Sequence, residues 1–130
     1  MLELLSPAGS MEALRAAVQN GANAVYLGIG AFNARQSAKN FTLETLSEAL
    51  KYCHVRGVDV HLTLNTLVTD REFKSVSELI RKTAEAGVDA FIVQDLGVAQ
   101  LCRQIAPEVP VHGSTQMTVH SLPGVQLCAA

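Results

Sequence analysis

Two side chains in this sequence have the types that move protons near neutral pH and stand where a short apolar run gives out: the Asp95 carboxylate and the His112 imidazole. Asp95 closes Ala90-Phe-Ile-Val-Gln-Asp95, and His112 lies in Pro110-Val-His-Gly113, followed at once by Ser114, Thr115 and Gln116. Asp95 has two readings, a cap for the helix that follows or a carboxylate for base chemistry or metal binding. Ser114 and His112 do not form a nucleophile and base on sequence grounds, because the strained elbow such a serine needs is missing. Motifs for zinc, a P-loop or a dinucleotide turn are also missing, so no metal set is expected.

Other polar groups would have to bind rather than react. Ser6-Pro-Ala-Gly9 is either a turn feeding Ser10 into a helix cap or, through Gly9, a source of free backbone N–H groups for an anion. Asn33, Arg35, Gln36, Lys39 and Asn40 share one long connection, Gly28 to Phe41. The forked Arg35 guanidinium there is either a solvated charge or a clamp for carboxylate or phosphate. Asn65, Gln94, Ser114 and Gln116 complete the set of substrate-binding candidates. His61 falls mid-strand and is expected inside the fold, hydrogen-bonded in the core.

What must position these groups is a repeated unit. Asn20-Gly-Ala-Asn-Ala-Val-Tyr-Leu-Gly28, Arg56-Gly-Val-Asp-Val-His-Leu-Thr-Leu-Asn65 and Glu85-Ala-Gly-Val-Asp-Ala-Phe-Ile-Val-Gln-Asp95 each read as a glycine stop, a small apolar residue, Asn or Asp, and a strand. A spacing of about 30 to 36 residues is the size of one strand plus a returning helix. Strands are expected at 2–5, to about 27, at 58–64, 90–93 and 110–113. Val58, Val60, Leu62 and Leu64 alternate strictly against Asp59, His61, Thr63 and Asn65. The helices between carry buried stripes: Leu14, Ala17, Val18; then Leu43, Leu46, Ala49, Leu50, Cys53; then Phe73, Val76, Leu79, Ile80, Ala84; then Val98, Leu101, Cys102, Ile105. Thr42 caps the second, Thr69 and Glu72 have capping-box spacing before the third, and a fifth has barely begun at Ala130.

Alternating βα units imply right-handed crossovers and a parallel sheet with helices outside. The expected architecture is the N-terminal half of a TIM-type (β/α)8 barrel, about four and a half units in one partial domain over residues 1–130. A flavodoxin-like open sheet is the alternative. Helix-to-strand turns are short and strand-to-helix loops long and polar, which puts the ligand site at the C-terminal ends of the strands.

Composition narrows the rest. A hydrophobic content of 48% with 17% charged residues supports a packed core. The net charge of -2 gives no electrostatic case for nucleic acid. No apolar run reaches the roughly 20 residues of a membrane span, and cytoplasm is the expected location. Cys53, Cys102 and Cys128 are expected as buried small hydrophobes.

Five stretches together resemble one known family: Glu3-Leu-Leu-Ser-Pro-Ala-Gly-Ser10; Ala24-Val-Tyr-Leu-Gly28 with Phe32-Asn-Ala-Arg35 and Asn40-Phe41; Thr63-Leu-Asn65; Val93-Gln-Asp95; and His112-Gly-Ser-Thr-Gln-Met117. They match, in order and across essentially the whole chain, the collagenase-like peptidase family of unassigned catalytic type. The resemblance implies an N-terminal (β/α)8-type barrel region of a longer protein and carries Arg35, Asn65, Asp95 and Gln116 over as active-face motif residues without catalytic roles. Members are labelled peptidases; others are associated with hydroxylation of RNA bases or ubiquinone precursors and with an iron–sulfur cluster. The family's cysteine-rich signature segment is absent from these residues, so no cofactor is expected in this chain and the cluster belongs to longer members.

The leading expectation is therefore a fragment of a peptidase, inactive alone, with a small anionic or peptide ligand. Part of an RNA-base or ubiquinone-precursor hydroxylation protein is the alternative, and a non-catalytic anion-binding or assembly module is a third. Open half-barrel edges predict a homo-oligomer.

Overall fold

The structure, a computed structural model, describes residues 2–30, 32 and 41–130. Five strands form one parallel sheet: β1 (Leu5–Pro7), β2 (Ala24–Gly28), β3 (Asp59–Leu64), β4 (Ala90–Val93) and β5 (Val111–Gly113). Their spatial order is their sequence order, β1-β2-β3-β4-β5. That order separates the two expected architectures. A flavodoxin-like sheet folds its first strand between later ones, whereas a barrel winds each strand beside the last. The fold is a partial TIM-type barrel, and the open-sheet alternative is set aside.

The helices are α1 (Met11–Gln19), α2 (Leu43–Val55), α3 (Phe73–Ala86), α4 (Leu96–Ile105) and α5 (Leu122–Ala129). The apolar stripes of α1 to α4 pack against one face of the sheet: Leu14, Leu46, Ile80 and Val98 join Val25, Leu62, Leu64 and Phe91 in one core, all fully or almost fully buried. Cutting Phe91 or Ile80 to alanine would cost about 2–5 kcal/mol by the usual transfer and cavity terms.

The repeated unit is physically a helix stop. Gly21, Gly57 and Gly87 have φ of 96°, 71° and 108°, the left-handed region that L side chains avoid. Each donates its N–H back to the preceding helix, and the next residue (Ala22, Val58, Val88) also donates to it, at the carbonyls of Ala17, Cys53 and Thr83. At the first and third of these turns the Asn or Asp that follows ties the turn to the neighbouring strand segment. Asn23 Oδ1 accepts from the Leu4 N–H at 2.8 Å, and Asp89 Oδ2 accepts from the Val60 N–H at 2.7 Å. Asp89 also meets His54 Nε2 at 2.7 Å.

Several boundaries differ from the sequence reading. The first strand lies at Leu5–Pro7, not 2–5, because its register against Ala24 to Tyr26 is set from the Ser-Pro end. Leu43 occupies the first turn of α2 and is exposed, outside the stripe that Leu46 continues. Thr83, a polar residue absent from the expected stripe, is fully buried in α3, its hydroxyl returning to the Leu79 carbonyl at 2.7 Å. Thr69 and Glu72 do form the expected capping box, but it opens a 3-10 turn, Asp70–Glu72, that leads into α3. The Thr69 backbone N–H, then its hydroxyl, hold the Glu72 carboxyl below its usual range. Cys53 and Cys102 are buried as expected; Cys128 is exposed on α5.

Candidate functional site

Parallel register stacks the inward side chains in layers. Tyr26, His61 and Ala90 share one level; Gly28, Thr63, Ile92 and His112 share the next, nearer the C-terminal ends of the strands. His112 is thus one layer above His61. Their rings meet edge to face, centroids 5.1 Å apart, across a strand that contributes only the Ala90 methyl at the lower level.

His61 is 5% exposed, and its Nδ1 is buried without a hydrogen-bond partner. This corrects the expectation of a hydrogen-bonded core histidine. An unpaired buried nitrogen costs about 1–3 kcal/mol, and the penalty grows if the ring is charged. Burial, and then the neighbouring His112, accordingly push the His61 pKa down, against weaker opposing pulls from Glu3, Asp59 and Asp89. Both effects favour the neutral imidazole at His61.

Above the histidines, the ends of β4 and β5 carry the rim. Asp95 is the N-cap of α4: Oδ1 accepts from the Gly97 N–H at 2.7 Å and from the Val98 N–H at 3.4 Å. Its Oδ2 accepts from the Val68 N–H at 3.2 Å, fastening the loop after β3 to the start of α4. Both oxygens serve the fold. Ser114 caps a short 3-10 turn, Thr115–Met117, through its Oγ, which accepts from the Gln116 N–H at 3.2 Å. The Gln94 side-chain amide donates to the Gln116 carbonyl at 3.4 Å. Thr118 then turns the chain with a φ of 58°, a left-handed conformation uncommon for a β-branched residue.

Two shallow cavities open between these groups. One, of about 510 Å³, has Leu67, Met117, Leu127 and His120 among its walls; the other, of about 600 Å³, is bounded by Asn65 and Thr66. They share Leu67, Gln94, Gln116 and Thr118, so they form one trough over the ends of β3 to β5. Leu67, His120 and the α5 wall carried no signal in the sequence, because they sit on loops and a helix whose approach only the fold brings about.

Of the candidate residues, Asn65, Gln94, Asp95 and Gln116 come together around this trough. His112 lies on β5, two residues before the Ser114 cap, and is not among the residues lining the trough. Ser6 and Gly9 are at the opposite edge of the sheet, by β1, where Ser10 Oγ accepts from the Ala13 N–H at 3.1 Å. Asn33 and Arg35, with Gln36, Lys39 and Asn40, lie outside the described residues. The flanks of that connection close on each other, with Ile29 bridging Phe41 and the Phe41 N–H donating to the Gly28 carbonyl at 3.1 Å.

An iron–sulfur cluster would need converging thiolates. Cys53 sits on α2 and Cys102 on α4, both buried, and burial pushes their thiols up to about 11 and about 12. Among the described residues no group of three or more His, Cys, Asp or Glu side chains is placed to hold a metal ion. These residues do not fit such a cluster. Among them, too, no helix is long and apolar enough to cross a membrane.

Comparison with known proteins agrees with the architecture. The chain is 42% identical, over 97% of its length, to the tRNA hydroxylation protein P of Helicobacter pylori. It is 39% identical over 93% to the 23S rRNA 5-hydroxycytidine C2501 synthase of Escherichia coli, and 36% over 90% to the collagenase of Porphyromonas gingivalis. It spans only 30%, 18% and 28% of the lengths of these relatives. The solved structure of the U32 peptidase Mk0906 superposes with a TM-score of 0.76 at 14% identity, covering 95% of this chain and 53% of that one, a likeness of fold. The model of peptidase family U32 matches residues 9–130, and the chain belongs to that family.

Proposed function

We propose that this chain is part of a cytoplasmic RNA-base hydroxylation protein, with the trough at the C-terminal ends of β3 to β5 receiving the base. One observation carries the reading. Among its apolar walls the trough carries the carboxamides of Gln94 and Gln116, while its carboxylate, Asp95, has both oxygens engaged by backbone N–H groups. Carboxamides suit base edges. The net charge of -2 supplies no attraction for a phosphate backbone, so this reading puts recognition on the base itself. The names of the tRNA and rRNA relatives support it.

The peptidase reading draws support from the family name and from the collagenase of Porphyromonas gingivalis. It needs an activated nucleophile or a free carboxylate. Among the described residues, Asp95 is occupied as a cap and the buried thiols of Cys53 and Cys102 are held protonated, which leaves the exposed Cys128 in the trough wall as the one accessible thiol. We take the hydroxylation reading because the names of the relatives carry it more often.

Deleting the reading frame in the source organism and profiling its tRNA and rRNA nucleosides by mass spectrometry tests the proposal. The expected result is loss of a nucleoside heavier by one oxygen atom, restored by the plasmid-borne gene, with gelatin cleavage by extracts unchanged. An unchanged nucleoside profile, with gelatin cleavage lost, would turn the assignment back to a peptidase.

A further inference from the structure

We propose that Gln116 is the base-reading residue of this trough, its carboxamide pairing with a nucleobase edge that carries a donor and an acceptor side by side. The inference rests on the hydroxylation reading and narrows it to one side chain.

The geometry separates the backbone of Gln116 from its side chain. The backbone is pinned on both sides: its N–H donates to Ser114 Oγ at 3.2 Å, and its carbonyl accepts from Gln94 Nε2 at 3.4 Å and Thr118 Oγ1 at 3.3 Å. The left-handed Thr118 immediately after it reverses the chain. The side-chain amide, in contrast, pairs with nothing among the described residues, although it is exposed in the wall common to both cavities. The held backbone fixes the point from which an unspent carboxamide reaches into the trough, so only the side chain has to be ordered when it binds.

The surroundings suggest what it would recognise. The cavity of about 510 Å³ has Gln116, apolar Leu67, Met117 and Leu127, and His120 among its walls. A nucleobase is a flat ring with apolar faces and a polar edge, and such faces stack on imidazole or pack on apolar side chains while the edge is read by hydrogen bonds. The C=O and N–H of a carboxamide match the adjacent groups at the edge of uracil or cytosine, which they can pair bidentately. A peptide also offers amide groups, but extended peptides are usually held by pairing along a strand edge, with pockets for alternate side chains. A carboxamide beside an apolar seat fits a base better.

The test is an amide NMR titration of the purified chain with uridine and cytidine, and separately with an end-blocked alanine dipeptide. Saturable shifts of the Gln116 side-chain amide signals with a nucleoside are expected, and Gln116→Leu should weaken binding about tenfold, the scale of one bidentate contact. Gln116→Glu keeps the size and an acceptor but loses the donor, and should weaken binding as well. Both variants alter an exposed residue, so native spectral dispersion verifies their fold. Unaltered nucleoside binding by both variants, no nucleoside binding by the parent chain, or an equal response to the dipeptide would overturn the proposal. Complementing the deletion strain with Gln116→Leu separates the two claims. If hydroxylation is restored in full, Gln116 is not the reader although the hydroxylation function stands. If deletion itself changes no nucleoside while Gln116 still binds uridine, the function falls and the binding site remains.

Discussion

His61 and His112 touch edge to face at 5.1 Å although they belong to β3 and β5, with β4 between them. The contact makes the lower ring a poor place for a proton, because burial and the second imidazole both disfavour its charge. The unfolded chain has no such penalty and protonates His61 near its ordinary pKa of 6.5. Below that pH the unfolded state binds more protons than the folded one, so stability falls as pH falls; above it, this contribution is fully present. Urea denaturation across this range should show the decline, and His61→Leu should flatten it. The same variant should gain about 1 kcal/mol at neutral pH by removing an unpaired buried nitrogen. A variant that keeps the full pH slope would show that another group causes it.

Asp95 should matter through stability. Asp95→Ala removes the α4 cap and the tether to Val68 together, and a loss of about 1–2 kcal/mol is expected. Asp95→Asn, which retains one carbonyl acceptor, should lose less. Denaturation midpoints for the pair check this, and equal stability of all three proteins would mean that the cap is idle.

Left-handed glycines set a third expectation. At Gly87 an added Cβ meets only His54 Cε1, at an ordinary 3.8 Å, so Gly87→Ala is penalised by conformation and not by crowding. The cost should be about 1–2 kcal/mol, with similar values for Gly21 and Gly57. Gly9, which has open space and no positive φ, should accept alanine within about 0.5 kcal/mol. Thermal melts of the four variants distinguish the two classes.

Thiol labelling of the folded chain should modify Cys128 alone. The buried thiols of Cys53 and Cys102, pushed up to about 11 and about 12, lack both access and thiolate. Mass spectrometry should find one adduct under native conditions, none in Cys128→Ser, and two further adducts only after unfolding. Rapid labelling of Cys102 would reveal frequent opening of α4.

Much of the fold was legible because its signals are local. A glycine stop, a small residue and an Asn or Asp recur at three strands; the glycine ends the helix in all three, and Asn23 and Asp89 add side-chain ties at two. Apolar periodicity likewise located Leu46, Val76 and Val98 in the core. The site was less legible. Gln94, Asp95 and Gln116 were visible as polar groups at strand ends, but nothing local distinguishes an Asp95 that caps from one that reacts. That depends on Val68, far away in sequence, donating to its second oxygen. His120, Leu67 and Leu127 meet around Gln116 only through the tertiary packing of a loop and α5. Cys128 misled because an apolar helical face reads the same whether or not anything covers it.

The glycine turns and the trough occupy opposite ends of the strands, and this divides the kinds of harm a substitution can do. Damage at Gly21, Gly57, Asn23 or Asp89 weakens the unit that holds a strand beside its neighbour, so in a cell it should show as less protein, each surviving molecule working normally. Damage at Gln116 should leave the amount of protein unchanged and alter what each molecule does. Western blotting beside an activity readout would thus sort variants by the end of the barrel they strike. A lineage could then remodel the upper rim for a new ligand while leaving the inherited scaffold below intact.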